Sequence, residues 1–253
     1  MTVHKILKVN KLKKVYGDNV AVKEISFDVN QGEVFGILGP NGAGKTTTLE
    51  MLEAVRTIDG GSAIIDGINI AEDSDAVKRI IGVQPQTAAF QDKQKLTEIV
   101  EMFAAAYGER VNAMDLLREV QLDEKAKSFA ENLSGGQRQR LSIAVALVHN
   151  PKIFFMDEPT TGLDPQARRN LWDLVKQIKA KGVTVIMTTH YMEEAEVLCD
   201  RVAIMDNGKI IAMDTPEHLV KNLLKKGFKK KEIVEQANLE DVFIDLTGKA
   251  LRE

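Results

Sequence analysis

The chain has 253 residues, 44% of them hydrophobic and 28% charged, and carries a net charge of −3. That balance suits a globular protein with ample core and gives no electrostatic reason to expect a nucleic-acid partner. No stretch approaches the roughly 18 consecutive apolar residues of a membrane span, and the single cysteine, Cys199, excludes an internal disulfide framework.

The first 85 residues read as short strands and turns. Ala21–Val29 and Val34–Leu38 are apolar-rich, with the turn Asn30-Gln31-Gly32 between them. After Leu38 comes a glycine-rich loop, and then Leu49, Leu52 and Val55 at helical spacing predict a helix over 46–55, ended by Asp59-Gly60-Gly61. The Asp66-Gly67 pair between Ala63–Ile65 and Ile68–Ile70 predicts a hairpin.

The pattern becomes helical after Gln86. Leu96, Ile99, Val100, Phe103 and Tyr107 lie on one helical face, and a second helix covers 112–120. A third starts at Ser134, carries Leu141, Ala144, Val145 and Val148 on one face, and must stop near Asn150 because Pro151 follows. The core then resumes. Ile153–Met156 and Val183–Met187 are continuous apolar runs, as in strands buried on both faces, and Leu171, Leu174, Val175 and Ile178 mark a helix that Gly182 closes. Residues 201–213 read as a hairpin around Asp206-Asn207-Gly208, and the tail from Pro216 is helical and charged. The resulting division is an α/β core with a β subdomain (1–86 and 150–215), a helical subdomain (87–149) and a helical tail (216–253).

Gly39-Pro40-Asn41-Gly42-Ala43-Gly44-Lys45-Thr46 matches G-x-x-x-x-G-K-[ST] between a strand and a helix. Gly42 and Gly44 let the backbone curl so that several N–H groups face phosphate oxygens, and the helix beginning through Thr46 and Thr47 adds its positive end. Lys45 supplies charge to the β- and γ-phosphates, and the Thr46 hydroxyl is a Mg²⁺ ligand. Asp157 and Glu158 directly follow the apolar strand 153–156, so they stand at the sheet edge where α/β folds bind ligands. That placement assigns Mg²⁺ to Asp157 and the attacking water to Glu158. His190 follows the second apolar strand to the same edge. On position alone it is either a structural histidine or a γ-phosphate contact. In Leu133-Ser134-Gly135-Gly136-Gln137, Ser134 is a good N-cap, and the two glycines leave the first helical N–H groups open to an anion.

Taken in order, these motifs resemble the ATP-binding cassette family along nearly the whole chain. The resemblance implies a phosphate-loop NTPase core of the RecA-like type, with an antiparallel β subdomain and an inserted α-helical subdomain. It implies that Tyr16 stacks on adenine and that Gln86 touches Mg²⁺ and water and links the site to a membrane partner. The family places this glutamine after proline, which selects Gln86 over Gln84. Ser134, Gly135, Gly136 and Gln137 would meet the ATP held by a second copy of the chain, Asp164 would lie at that interface, and His190 would sense the γ-phosphate. One motif set without a long heptad insertion points to the detachable, cytoplasmic ATPase subunit of a transporter, held at the inner membrane face by an integral permease. The segments Thr189–Glu196 and Leu239–Gly248 are similar to ATPase subunits of ABC-2 type exporters, with an importer subunit as the nearest alternative and a soluble, non-transport ATPase acting on nucleic acid or ribosomes as the other. The start, MTVHKILKVNKLKK, shows no secretory pattern. The lysines at 221, 225, 226 and 229–231 form an acid-free cluster that reads as a solvated face or a contact with anionic lipid.

Overall fold

The computed structural model describes residues 4–85 and 90–228. It divides into two compact units, Met1–Leu219 and Val220–Glu253. Gln86, Lys229–Lys231 and the 239–248 segment lie outside the described residues.

The first unit is built on two sheets. Six strands, β3 (Val34–Leu38), β6 (Ile81–Gln84), β7 (Ile153–Asp157), β8 (Thr184–Thr189), β9 (Arg201–Asp206) and β10 (Lys209–Asp214), form one sheet in the order β10-β9-β3-β8-β7-β6. All neighbours pair in parallel except the β9–β10 hairpin. β1 (Lys5–Tyr16), β2 (Asn19–Asn30), β4 (Gly60–Ile65) and β5 (Ile68–Asn69) form the antiparallel sheet, in the order β2-β1-β4-β5.

The parallel sheet has a core on each face, which explains its unbroken apolar runs. On β7, Ile153 and Phe155 join the core shared with α1 (Lys45–Leu52) and the antiparallel sheet. Phe154 and Met156 join the opposite core, beneath α3 (Leu96–Ala106), α4 (Ala113–Glu119), α5 (Gly135–Ala146) and α6 (Pro165–Ala180). A short helix α2 (Ser74–Lys78) leads into β6, and α7 (Met192–Leu198) follows β8.

The sequence reading needs three corrections here. The strands of the first 85 residues are not all short: β1 and β2 each run 12 residues, and β1 was not singled out at all. Lysines along β1 mask its alternation. Second, α1 stops at Leu52 rather than Val55. Ala54 has φ 56, and Val55 is 67% exposed. Third, Gly60 and Gly61 therefore do not end that helix but open β4. A side chain at Gly61 would strike the Lys11 carbonyl at 2.1 Å. The remaining helices and strands named from the sequence are present within the described residues, displaced by a few residues at their ends, and the helical tail is described only as far as residue 228.

Pro216 opens α8 (Pro216–Lys225), which carries Lys221 and Lys225 of the lysine cluster. Cys199 is buried, with its Sγ where a side chain at Gly36 would stand (2.6 Å). Burial, then the neighbouring Glu194 and Asp200, push its thiol pKa well up, so it is an inert core residue.

Phe155→Ala should cost about 3–5 kcal/mol, whereas Val55→Ala should stay within about 0.5 kcal/mol of the parent protein. Thermal or urea unfolding of the two variants checks both values.

Candidate nucleotide-binding site

The loop from Gly39 to Gly44 joins β3 to α1, and two of its glycines are required by close neighbours. A Cβ at Gly39 would lie 2.2 Å from the Met205 carbonyl oxygen, and one at Gly44 2.6 Å from that of Ala21. Gly44 also has φ 100, a left-handed conformation that disfavours side chains. The β9–β10 turn braces the loop from outside: Gly208 N–H donates to the Ala43 carbonyl at 3.0 Å.

Three strand ends deliver the charged groups. Lys45 is buried, and its Nζ donates to the Gly39 and Pro40 carbonyls at 3.0 and 3.1 Å. The same Nζ lies 3.1 Å from Glu158 Oε1, while His190 Nδ1 stands 3.1 Å from Glu158 Oε2, off hydrogen-bonding direction. Glu158 has φ 45 and is held there by its N–H, which donates to the Thr188 hydroxyl at 3.0 Å. Burial pushes its carboxyl pKa up, but Lys45 and then His190 outweigh burial and leave it below the ordinary value.

Asp157 is buried beside this pair. The Thr46 hydroxyl donates to both its oxygens, at 3.2 and 3.0 Å, and the Thr188 hydroxyl also donates to it. Lys45, Thr46, Glu158 and His190 line a cleft of about 750 Å³ that extends past Asn41, Gly42 and Thr47 to Tyr16, whereas Asp157 lines a neighbouring depression with Thr46 and Glu53. The Tyr16 ring, 39% exposed, has the Lys14 and Arg56 cations 5.5 and 5.6 Å from its centroid. The arrangement can therefore hold a polyphosphate at one end and a flat ring at the other.

Residues 22–161, more than half of the chain and spanning the phosphate loop, Ser134–Gln137 and Glu158, match the ABC transporter family. The chain belongs to that family. It is 41% identical to the linearmycin resistance ATP-binding protein LnrL of Bacillus subtilis over 223 residues, 86% of this chain and 72% of that one. It is also 41% identical to the Nod factor export ATP-binding protein I of Cupriavidus pinatubonensis, over 85% of this chain and 68% of the relative. Its fold matches the dimeric post-hydrolysis structure of the ATP-binding cassette MJ0796 bound to ADP and Pi. The TM-score is 0.74 at 26% identity, covering 83% of this chain and 98% of that one. Membership makes the protein an ATPase that binds ATP, with the α/β phosphate-loop fold expected.

The ABC signature lies elsewhere on the same unit. Ser134 caps α5, its Oγ accepting from Gln137 N–H at 3.3 Å while Gln137 Oε1 accepts from Ser134 N–H at 3.1 Å. Asp164 caps α6 by accepting from Ala167 N–H at 2.8 Å. Helices α5 and α6 meet at this corner, where a Cβ on Gly136 would come within 3.1 Å of the Ala167 Cβ. Ser134, Gly136, Gln137 and Asp164 line one depression, which shares no lining residue with the cleft at the phosphate loop. The fold thus brings together Tyr16, the loop, Glu158 and His190, and separately the signature with Asp164.

Sequence reasoning missed three residues of the site. Thr188 ties Asp157 to Glu158, and its place after an apolar strand was a usable signal. The hydroxyl of Thr161 donates to Glu158 Oε2 at 3.4 Å. Glu53, at the C-terminal end of α1, carried no signal, because its burial depends on how α1 packs. Burial, followed by repulsion from Asp157 and Glu50, raises its pKa to about 8.

A raised acid pKa favours the protonated form in the folded protein, so Glu53 supports stability fully below about pH 4.5 and loses that support as pH rises toward about 8. Glu53→Gln removes this titration. In metal-free protein the variant's melting temperature should exceed the parent's by an amount that grows between about pH 5 and 8, to a few degrees, and then levels off. A gap that stays constant or narrows over that range would contradict the burial account.

Proposed function

We propose that the chain is the ATPase subunit of an exporter, working as a head-to-tail pair of identical copies beneath a separate membrane permease. The carrying observation is the separation of the signature depression from the phosphate-loop cleft on one chain. A second copy turned end for end would lay its signature over the first copy's phosphates, giving two ATP molecules in two shared sites. The dimeric cassette among the similar structures supports that arrangement, and the names of the relatives, which speak of resistance and export, support the direction of transport. No described helix is long and apolar enough to cross a membrane. The permease is therefore assigned to another polypeptide, with this subunit on its cytoplasmic side, where ATP is supplied.

The role of each residue follows from its chemistry. Tyr16 stacks on adenine. Backbone N–H groups from Gly39 to Thr47 cradle the phosphates, and Lys45 leaves Glu158 for the β- and γ-phosphates. The Thr46 hydroxyl and Asp157 carboxylate offer hard oxygens 3.0 Å apart, a donor set that fits Mg²⁺ with phosphate and water completing it. Bound there, Mg²⁺ supplies positive charge against the charge developing on the phosphoryl oxygens. Gln86, outside the described residues, is assigned to the Mg²⁺ and water by resemblance. Glu158, released from Lys45, accepts a hydrogen bond from the attacking water and orients it in line with the γ-phosphate. His190 contacts the γ-phosphate from the far side of Glu158. From the partner, Ser134, Gly135, Gly136 and Gln137 present a helix N-terminus to the same phosphate, with Asp164 at the seam. ATP binding closes the pair, and hydrolysis removes the γ-phosphate that holds it shut.

Glu158→Gln should bind ATP and dimerise but lose about 100-fold or more in turnover, measured as phosphate release. Turnover at the parent rate would sink the assignment. Lys45→Ala should weaken ATP binding about tenfold or more in a titration, and an unchanged affinity would count against the phosphate-loop reading. Gentle solubilisation and affinity capture should bring down a polytopic membrane protein. Recovery of ribosomes or nucleic acid instead would overturn the transport role.

A further inference from the structure

His190 meets Glu158 at Oε2, the oxygen opposite the one that Lys45 holds. Its Nδ1 is buried and lies 3.1 Å from that oxygen, yet it has no partner of full hydrogen-bond geometry among the described residues. The second nitrogen of an imidazole is usually aimed by a hydrogen bond at the first, and here that bond is missing. The ring next in sequence supplies a contact instead. Tyr191 packs on His190 with ring centroids 4.1 Å apart and a tilt of 38°.

Tyr191 is itself held at three points. Its N–H donates to the hydroxyl of Thr189, the completely buried last residue of β8, at 3.0 Å. Its carbonyl accepts from Ala195 N–H at 3.3 Å, so the residue caps α7. The third hold is on the ring. Arg168, in the first turn of α6, places its guanidinium carbon 4.8 Å from the ring centroid, within the range of a cation–π contact. Arg168 Nε is buried without a hydrogen-bond partner among the described residues, and such an atom calls for an explanation. A planar guanidinium can lie on an aromatic face, and the Tyr191 ring offers that face. Tyr191 does not line the nucleotide cleft, so it cannot touch nucleotide there.

We propose that Tyr191 is a positioning residue for ATP hydrolysis: clamped by Arg168 of α6, its ring holds the His190 imidazole against Glu158. This rests on the roles proposed above for Glu158 and His190. A ring that served packing alone would affect stability and act the same with or without His190. A positioning ring acts through the imidazole. Its loss lowers kcat and spares ATP binding, because the phosphate loop and Tyr16 are held by other elements, and it costs nothing more once His190 is gone.

The test is steady-state ATP hydrolysis by the full-length protein carrying Tyr191→Ala, Tyr191→Phe, Arg168→Met, His190→Ala or the Tyr191→Ala/His190→Ala pair. KM for ATP should stay within about twofold in the Tyr191 and Arg168 variants, while kcat falls about tenfold in Tyr191→Ala and about threefold in Arg168→Met. Tyr191→Phe should stay within about twofold in kcat, because it keeps both the ring packing and the cation–π contact. His190→Ala should be about 100-fold slower, read with radiolabelled γ-phosphate, and adding Tyr191→Ala to it should change kcat by less than about twofold. The proposal is overturned by a kcat within about twofold of the parent in Tyr191→Ala, by a Tyr191→Phe as slow as Tyr191→Ala, or by additive losses in the pair. If Tyr191→Ala fails to fold, Arg168→Met decides alone, and a parental kcat refutes the clamp. His190→Ala also separates the two levels. Undiminished turnover there removes the underlying role, whereas its collapse beside an unaffected Tyr191→Ala removes only this inference.

Discussion

Parallel pairing of β3, β8 and β7 sets where the charges of the cleft stand. Leu38 pairs with Thr189, and Asp157 pairs with Thr188, so the three strands reach their C-terminal ends at one level. Lys45 leaves from the first, His190 from the second and Glu158 from the third. Because β8 lies between the other two, Lys45 and Glu158 can pair at 3.1 Å although their strands do not touch. A slip of one residue in either pairing would move a strand end by about 3.3 Å and exchange its faces, breaking both the ion pair and the core beneath it.

The same register sets the energetics of the site. Removing one partner from a buried ion pair costs about 3–5 kcal/mol, because the survivor keeps its desolvation penalty. Lys45 therefore has a strong preference for some anion, and a phosphate can take the place of Glu158. On the proposed roles the exchange would couple binding to chemistry: the group that would steer water stays engaged until the lysine is drawn to phosphate. Glu158 also holds a left-handed backbone conformation, which costs about 1–3 kcal/mol for a residue with a side chain and is sustained here by Thr188. Threonines recur at this edge because their short hydroxyls can bridge backbone and carboxylate in the space between neighbouring strands.

Helix α6 runs from the signature depression to a buried contact with α7. Its N-cap Asp164 lines the signature depression, its third residue Ala167 stands close to Gly136, and Trp172, eight residues after the cap, donates to Glu194 of α7. Space is short at the corner of α5 and α6, since a Cβ on Gly136 would require the Ala167 methyl to give by a few tenths of an ångström.

The amino-acid sequence by itself determined the chemistry that is local. Gly39 to Thr46 are contiguous, so the phosphate loop is written in the residues whatever surrounds it. Asp157, Glu158 and His190 were legible because each follows an apolar run long enough to be a buried strand, and such strands deliver their next residue to one edge. The order of the motifs was enough to indicate the family, and Ser134 was recognisable as a cap because capping acts within three residues. Interactions across large separations were not legible. The extent of β1 was hidden by its lysines, the end of α1 depended on a left-handed Ala54, and the burial of Glu53 and Glu194 follows from helices docking on a sheet. Only the tertiary structure decided that Lys45 meets Glu158, 113 positions away by their numbering, and that the signature stands apart from the loop it resembles a complement to. Side-chain chemistry is carried by the residue itself, whereas distance is set by packing that no single segment contains.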